Sequence, residues 1–503
     1  MIKLSSTSNL LLLLVFLFVS INFLFPLNRI IPFDRRVIVL FGSALCYIIK
    51  ASNHTIDLLQ YIDVSVLVIL TSIMVINHIV MKQTITMTMI SYLQNQIKCN
   101  KTKGFWLVSI VSFVLSPLLT NDGLCLVLTS VVLDAFLSDD NDDNIDNNDD
   151  DNNDNELIID RVDDTVSKNN DCLYFSIIIC TAANLGSTIL YTGNPQNIII
   201  SGQSITLIRS SSFMLLQILP SLVNWLITTT FLNYCRTSKS GLFYIRTNDS
   251  GTKHSKINQN EEGVGTDNNQ IKILNKATTL KDAVPWVFLF MLIVLELSNM
   301  VSLVSLFSLT AIFCMIVVLS LEYYCYKIND NDKGSDALLM IEEYTESIFK
   351  SIDYNLLVIF IGLFICSGTL VETKLPEQLF YMTSSDEPFT TRLSTFTASI
   401  YIVIMSQFVG NVPLVIMMIN PINNIKDSIL RKNAWLLLSY ISTVAGNLTI
   451  SGSAANVIVS EIANRHRLKV KIDAIFHCKL CFVVTIFNIL LGSFIISLES
   501  NLF

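Results

Sequence analysis

Long apolar stretches alternate with short polar ones along the whole chain, and a stretch of about 20 residues is enough for a helix to cross a hydrocarbon core. By that measure, crossings fall at 10–25, 37–49, 64–80, 173–200, 213–232, 283–299, 303–326, 354–371, 434–462 and 475–498. Two further stretches are apolar but broken at their middle. The first, 104–137, is interrupted by Pro117, Thr120, Asn121, Asp122 and Gly123, and the second, 392–420, by Gln407, Gly410, Asn411 and Pro413. Two half-length helices meeting at a polar tip make a re-entrant hairpin. The pattern therefore predicts an all-α polytopic membrane protein with about ten spans and two re-entrant hairpins.

Two of the spans are themselves broken, 173–200 by Gly193-Asn194-Pro195 and 434–462 by Ser451-Gly452-Ser453. Glycine and proline there unwind a helix and free backbone groups. These interruptions occur in paired register. Asp63 and Asp353, Ser116 and Ser406, and Asn121 and Asn411 are each 290 positions apart, whereas Gly193 and Gly452, and Asn197 and Asn456, are 259 apart. The 31-residue difference matches extra sequence around an acidic tract in the first half. Five crossings separate Asp63 from Asp353, an odd number, so the halves have opposite orientation, an inverted-topology repeat. The division that follows is an anchor span at 1–35, a first repeat at 36–234, a polar loop at 235–282 and a second repeat at 283–503. The first repeat holds hairpin 104–137 and an Asp/Asn-rich insert at 138–170; the second holds hairpin 392–420.

Composition agrees: of 503 residues 51% are hydrophobic and only 15% charged, with a mean hydropathy of +0.55. The net charge of -8 is local, because 139–156 alone carries nine Asp and one Glu with no Lys or Arg. Such a run buries too little apolar surface to order itself and reads as a disordered, solvated linker. Assigning loops alternately to two faces puts 24 of the 33 Lys and Arg on one face, which the positive-inside rule makes cytoplasmic, the 235–282 loop with it. The eleven cysteines lie scattered through apolar segments, as small buried hydrophobes do, with no metal framework. No Gly-rich phosphate loop with its Lys occurs, and nothing points to an enzyme, a cofactor or a nucleic-acid partner.

The residues at the breaks carry the candidate chemistry. Amides and hydroxyls at membrane depth are costly unless they line a cavity or a site buried in protein, although such groups also glue helices together. Four motifs in paired register favour a central site. Asp122 has no acidic counterpart, Val412 standing at its place, and is expected to take the coupling proton or cation; a helix N-cap is its plainer reading. Asp63 and Asp353 read as caps at the start of their spans, and Glu461 and Arg465 as a surface pair. Glu296 lies within a span with nothing else in the sequence to give it a role. Trp106, Trp225, Trp286 and Trp435 fall near span ends, as interfacial aromatics do.

Four segments, LLTNDGLCLVLTSVVL, AANLGSTILYTGNPQNIII, SQFVGNVPLVIMM and STVAGNLTISGSAANVIVSEIANR, resemble the signature segments of the arsenite permease and NhaD branch of the ion transporter superfamily. That branch takes in citrate transporter-like domain proteins and silicic acid efflux transporters. The resemblance covers most of the chain from about residue 36 onward. It implies scaffold and transport domains, two opposed hairpins and an elevator-like movement. Carried onto this sequence, the solute site comprises Ser116, Thr120, Asn121, Gly193, Asn194, Asn197, Ser406, Asn411, Gly452, Ser453 and Asn456. Tyr191 departs from the smaller residue of many relatives and is expected to reshape that site.

The function expected is secondary active, proton-coupled efflux of arsenite, antimonite or silicic acid, solutes for which amides, hydroxyls and helix ends suffice. A citrate, other carboxylate or sodium/proton transporter of the same fold is the alternative, and a non-transporting receptor or scaffold is one of another class. The partners implied are a small solute, a proton or sodium ion and the lipid bilayer of the plasma membrane or an acidic organelle, and a homodimer is compatible with them.

Overall fold

The computed structural model describes residues 7–24, 35–51, 57–137, 154–238, 268–299, 301–329, 334–384 and 388–499, and no strand occurs among them. Helices α1 (Thr7–Leu24), α2 (Arg35–Ala51), α3 (Val64–Met81) and α4 (Thr84–Cys99) precede the first broken stretch, formed by α5 (Lys101–Leu119) and α6 (Asn121–Leu137). Next come α7 (Asp154–Ser187), a 3₁₀ turn at Tyr191–Gly193, α8 (Pro195–Ser204) and α9 (Ser210–Thr237). Helices α10 (Asn268–Ser298), α11 (Leu303–Asn329), α12 (Gly334–Lys350), α13 (Tyr354–Val371) and α14 (Leu375–Ser384) follow. The second broken stretch is α15 (Arg392–Val409) with α16 (Asn411–Asn423). After it come α17 (Ser428–Ala445), 3₁₀ turns at Gly446–Leu448 and Ile450–Gly452, α18 (Ala454–Arg465) and α19 (Ala474–Glu499).

Both broken stretches fold back as hairpins. Phe105 near the start of α5 and Phe136 near the end of α6 each pack edge-on against Phe175, with ring centroids 5.3 Å away. The two legs therefore run antiparallel, with their open end at Phe175. In the second hairpin, α14 touches both legs, Tyr401 Oη donating to the Pro376 carbonyl at 3.5 Å and Asn424 Nδ2 to Glu377 Oε1 at 3.1 Å.

The discontinuous helices fix how the hairpins face one another. Helix α7 runs from the mouth of the first hairpin at Phe175 to its tip, where Ser116 Oγ donates to the Ala183 carbonyl at 2.6 Å. Its continuation α8 reaches the mouth of the second hairpin, where Asn423 Nδ2 donates to Gln203 Oε1 at 3.3 Å. Helix α17 takes the reverse course, from the second hairpin's mouth to its tip, and α18 ends at the first hairpin's mouth with His466 Nε2 3.0 Å from Asp134 Oδ1. The hairpins thus enter from opposite faces, and each broken span joins one mouth to the other.

Seven described helices are long and apolar enough to cross a membrane, and Thr7–Asn22 and Asn411–Asn423 are shorter apolar helices. The count differs from ten because the 173–200 and 434–462 segments are each split and the described helices at 10–25, 37–49 and 283–299 fall short of that measure, while the first legs of both hairpins meet it. Asp63 and Asp353 cap their helices as expected, accepting from the Val66 and Leu356 N–H groups at 3.2 and 3.0 Å. Glu461 and Arg465 pair at 3.5 Å on an exposed helix face.

Two of the tryptophans are not interfacial. Trp435 is 1% exposed, and Trp225 sits in the middle of α9, donating to Ser109 Oγ at 2.8 Å and stacking on Phe113. A polar partner at depth satisfies the indole N–H that would otherwise seek the headgroup layer. Residues 138–153 of the insert and 239–267 of the polar loop lie outside the described residues. The backbone of α7 begins at Asp154, so helix extends back into the segment whose composition reads as linker.

Candidate functional site

The first tip and the two broken spans meet at Asn184, which is fully buried near the end of α7. Its Nδ2 donates to Asn447 Oδ1 at 2.7 Å and to Asn456 Oδ1 at 3.1 Å. Its Oδ1 accepts from Asn121 Nδ2 at 2.9 Å and from Ser453 Oγ at 3.1 Å. One carboxamide has two donor and two acceptor positions, and Asn184 uses all four, three of them on the second repeat. Neither Asn184 nor Asn447 is among the residues that the interruptions in the sequence single out.

The breaks that follow are stapled alike in both halves. Asn197 Nδ2 donates to the carbonyls of Ser187 and Leu190 at 3.3 and 3.2 Å, and Asn456 Nδ2 to those of Gly446 and Thr449 at 2.8 and 2.9 Å. Unwinding a helix at depth orphans carbonyls, and these amides satisfy them. Asn194 Nδ2 reaches Ser187 and Thr443, and Ser439 Oγ donates to Asn197 Oδ1 at 2.7 Å. Gly193 and Gly452 close the 3₁₀ turns just before α8 and α18. Tyr191 turns away from this network, stacked on Phe213 at 4.0 Å with its hydroxyl on Ser204 and the Ile208 carbonyl.

The hairpin tips share a backbone but not a chemistry. Thr120 and Gly410 are the single residues between the legs, both at positive φ. In the first tip the Thr120 hydroxyl accepts from the Gly123 N–H at 3.3 Å, and Asn121 Oδ1 accepts from the Asp122 N–H at 3.0 Å. Asp122 is 7% exposed, and its Oδ1 has no hydrogen-bond partner; the N-cap reading finds no bond here. In the second tip Ser406 Oγ donates to Asn411 Oδ1 at 3.1 Å. Gln407 ties this tip to the break, donating to Ser406 and to the Ala445 carbonyl and accepting from Thr449.

The helix starts differ as well. Asn194 caps α8, accepting from the Asn197 N–H at 2.9 Å, whereas α16 and α18 begin at Gly410 and Ser453 with no side-chain cap bond. These two uncapped starts lie together beside Gly446, where a Cβ would stand 2.9 Å from Ser453 Cβ and 3.3 Å from Asn411 Nδ2. Asn411 is also the one tip asparagine that is partly exposed, Asn121 being buried. The first-half helix starts are thus capped by Thr120 and Asn194, whereas those of the second half carry no side-chain cap. Among the described residues, no Lys or Arg bonds to any member of this network.

Among known sequences, the model of a family described as citrate transporter (CitMHS) matches residues 15–445. The chain belongs to that family. Curated relatives include the silicon efflux transporter LSI3 of Oryza sativa subsp. japonica, 33% identical over 123 residues, which is 24% of this chain and 25% of the relative. Another is the putative transporter arsB of Dictyostelium discoideum, 32% identical over 169 residues, 31% of this chain and 28% of the relative. The matched segments thus span less than a third of either relative's length. This member of the citrate transporter family is a multi-pass membrane protein.

Proposed function

We propose that this protein is a secondary active transporter that carries a small, largely uncharged, oxygen-bearing solute, arsenite, antimonite or silicic acid, outward against an inward-moving proton. The observation that carries the reading is the uncapped pair of helix starts, α16 and α18, beside Asn411 and Ser453. Free helix N–H groups bind an oxygen ligand without a formal charge on the protein, and the amide and hydroxyl supply adaptable partners. Ser116, Thr120, Asn121, Gly193, Asn194, Asn197, Gly452 and Asn456 shape the breaks around that point. Asp122, with a buried oxygen still unpaired, binds the coupling proton. The hairpin-bearing unit moves as an elevator against a scaffold of α1–α3 and α10–α13.

Helix starts also hold anions, so a carboxylate such as citrate is the second reading. Several negative charges would meet no cationic side chain in the network described above, which favours the neutral solutes. Flux of arsenite, silicic acid, citrate and sodium under a proton gradient, in vesicles holding the purified protein, decides between them. Movement of arsenite or silicic acid is the expected result. Citrate or sodium flux alone replaces the solute named here, and no flux of any of the four returns the protein to a receptor or scaffold role.

A further inference from the structure

Like Asp122, Glu296 is a carboxyl buried within an apolar helix among the described residues, and it does not belong to the hairpins. It stands on α10, 1% exposed, and its Oε2 accepts from the Thr192 hydroxyl at 2.9 Å. Thr192 lies inside the first broken span, two residues before Asn194. The other oxygen, Oε1, is buried with no partner. A carboxylate held so far from water without a compensating cation is costly. An unpaired oxygen is where a proton adds without breaking an existing bond.

The surroundings leave that role to a proton. Helix α10 packs on α11, α9, α3 and α4. Their described titratable side chains are Cys314, Glu322, Tyr323 and Tyr324 on α11, Tyr234, Cys235 and Arg236 at the far end of α9, His78 on α3, and Tyr92, Lys98 and Cys99 on α4. None of them hydrogen-bonds to Glu296, whose bond runs to Thr192; Tyr191 is next to Thr192 on the same broken turn, and Asp282 on α10 itself accepts from the Thr84 N–H at 3.2 Å. Glu296 also stands one helical turn before Asn299, whose Oδ1 accepts from the Ser210 N–H and hydroxyl where α9 begins. This end of α10 is on the side of the second hairpin's mouth, since α8 reaches that mouth immediately before α9. Asp122 marks the other hairpin, at its tip.

We infer that Glu296 is a second proton-binding site, in which Oε1 takes up and releases one proton while Thr192 holds Oε2 to the loop of the first broken span. The proton comes from water on the face where the second hairpin opens and adds to Oε1, giving a neutral carboxyl; release returns the carboxylate and the proton. The contact joins α10 to the hairpin-bearing unit, so the charge at Glu296 sets how strongly the two hold together. The inference rests on the transport reading only for its consequence, not for the site.

Infrared difference spectra of the purified full-length protein, taken between acid and alkaline buffer, read protonated carboxyls directly. The expected result is a carboxyl band that is lost in Glu296→Gln, shifted in Thr192→Val, and retained in Asp122→Asn. A spectrum unchanged in Glu296→Gln overturns the site; should that variant not fold, an unchanged band in Thr192→Val overturns it equally. In vesicles, Glu296→Gln is expected to move fewer protons per solute than the wild type, and an unchanged ratio refutes the coupling consequence. If the wild type moves no solute, the transport reading fails while the infrared band still decides the proton site.

Discussion

Thr120 and Gly410, 290 positions apart, turn their hairpins with the same left-handed extended backbone, φ 61° and ψ 150° in one, φ 83° and ψ 163° in the other. A β-branched residue is strained there, at a cost on the order of 1–3 kcal/mol, whereas glycine is not. The first half carries that strain and gains the Thr120 hydroxyl on the Gly123 N–H. The room around Gly410 is open, Pro413 Cδ being 3.9 Å from the place of a Cβ. Gly410→Ala is therefore expected to cost about 1–2 kcal/mol through backbone strain alone, seen as a lower melting temperature in detergent. An unchanged melting temperature would show that the tip relaxes freely.

Removing the amide of Asn184 strands four partners at once. Asn184→Ala leaves the oxygens of Asn447 and Asn456 without their donor, and two such buried acceptors together cost about 2–4 kcal/mol. The expected outcome is a protein that inserts but melts early and binds no solute. Wild-type stability in this variant would show that water replaces the carboxamide.

At the second tip the substitutions are expected to separate binding from folding. Asn411 is partly exposed, so Asn411→Ala loses one bond to Ser406 and keeps the fold. Loss of a single uncharged hydrogen bond to solute, about 0.5–1.5 kcal/mol, corresponds to a weakening of affinity by up to roughly tenfold. Equilibrium binding by purified protein measures it, and unaltered affinity moves the solute away from this tip.

Asp122→Asn preserves shape and removes the charge. Gradient-driven flux is expected to fall to the rate seen without a gradient, while exchange of labelled for unlabelled solute continues. Proton-driven accumulation that survives in this variant removes Asp122 from coupling.

Far from the site, Arg236 clamps the first hairpin's mouth. It bonds Asp171 at 2.8 Å and Thr102 at 2.9 Å, and its guanidinium lies 5.3 Å from the centre of the Phe105 ring. Lysine cannot reproduce the fork or the stacking. Arg236→Lys is expected to cost about 2 kcal/mol, less than the full loss of a buried pair because Lys101 also contacts Asp171. Thermal melting of the variant in detergent checks this.

The hairpins and broken spans were legible because proline, glycine and asparagine stand out against apolar sequence, and because Asn121 and Asn411 share one offset. Asn184 and Asn447 were not. Asn184 precedes Gly193 by nine residues and Asn447 precedes Gly452 by five, so the 259-residue offset does not align them, and an isolated asparagine in AANLGS reads as helix. The Asn-Leu step common to both was the available signal. Glu296 had none, since its partner Thr192 is 104 residues away in sequence. Trp225 and Trp435 were misread because nearness to a span end says nothing about which way a ring faces.

The amide that joins the halves also sets a delay in biosynthesis. Asn184 and Asn447 are separated by 263 residues, and synthesis proceeds at about 5–20 residues per second. The first repeat therefore waits on the order of tens of seconds in the bilayer with its central carboxamide lacking three of its four partners. The insertion machinery, or water admitted beside α7, must shelter that group until α17 and α18 arrive.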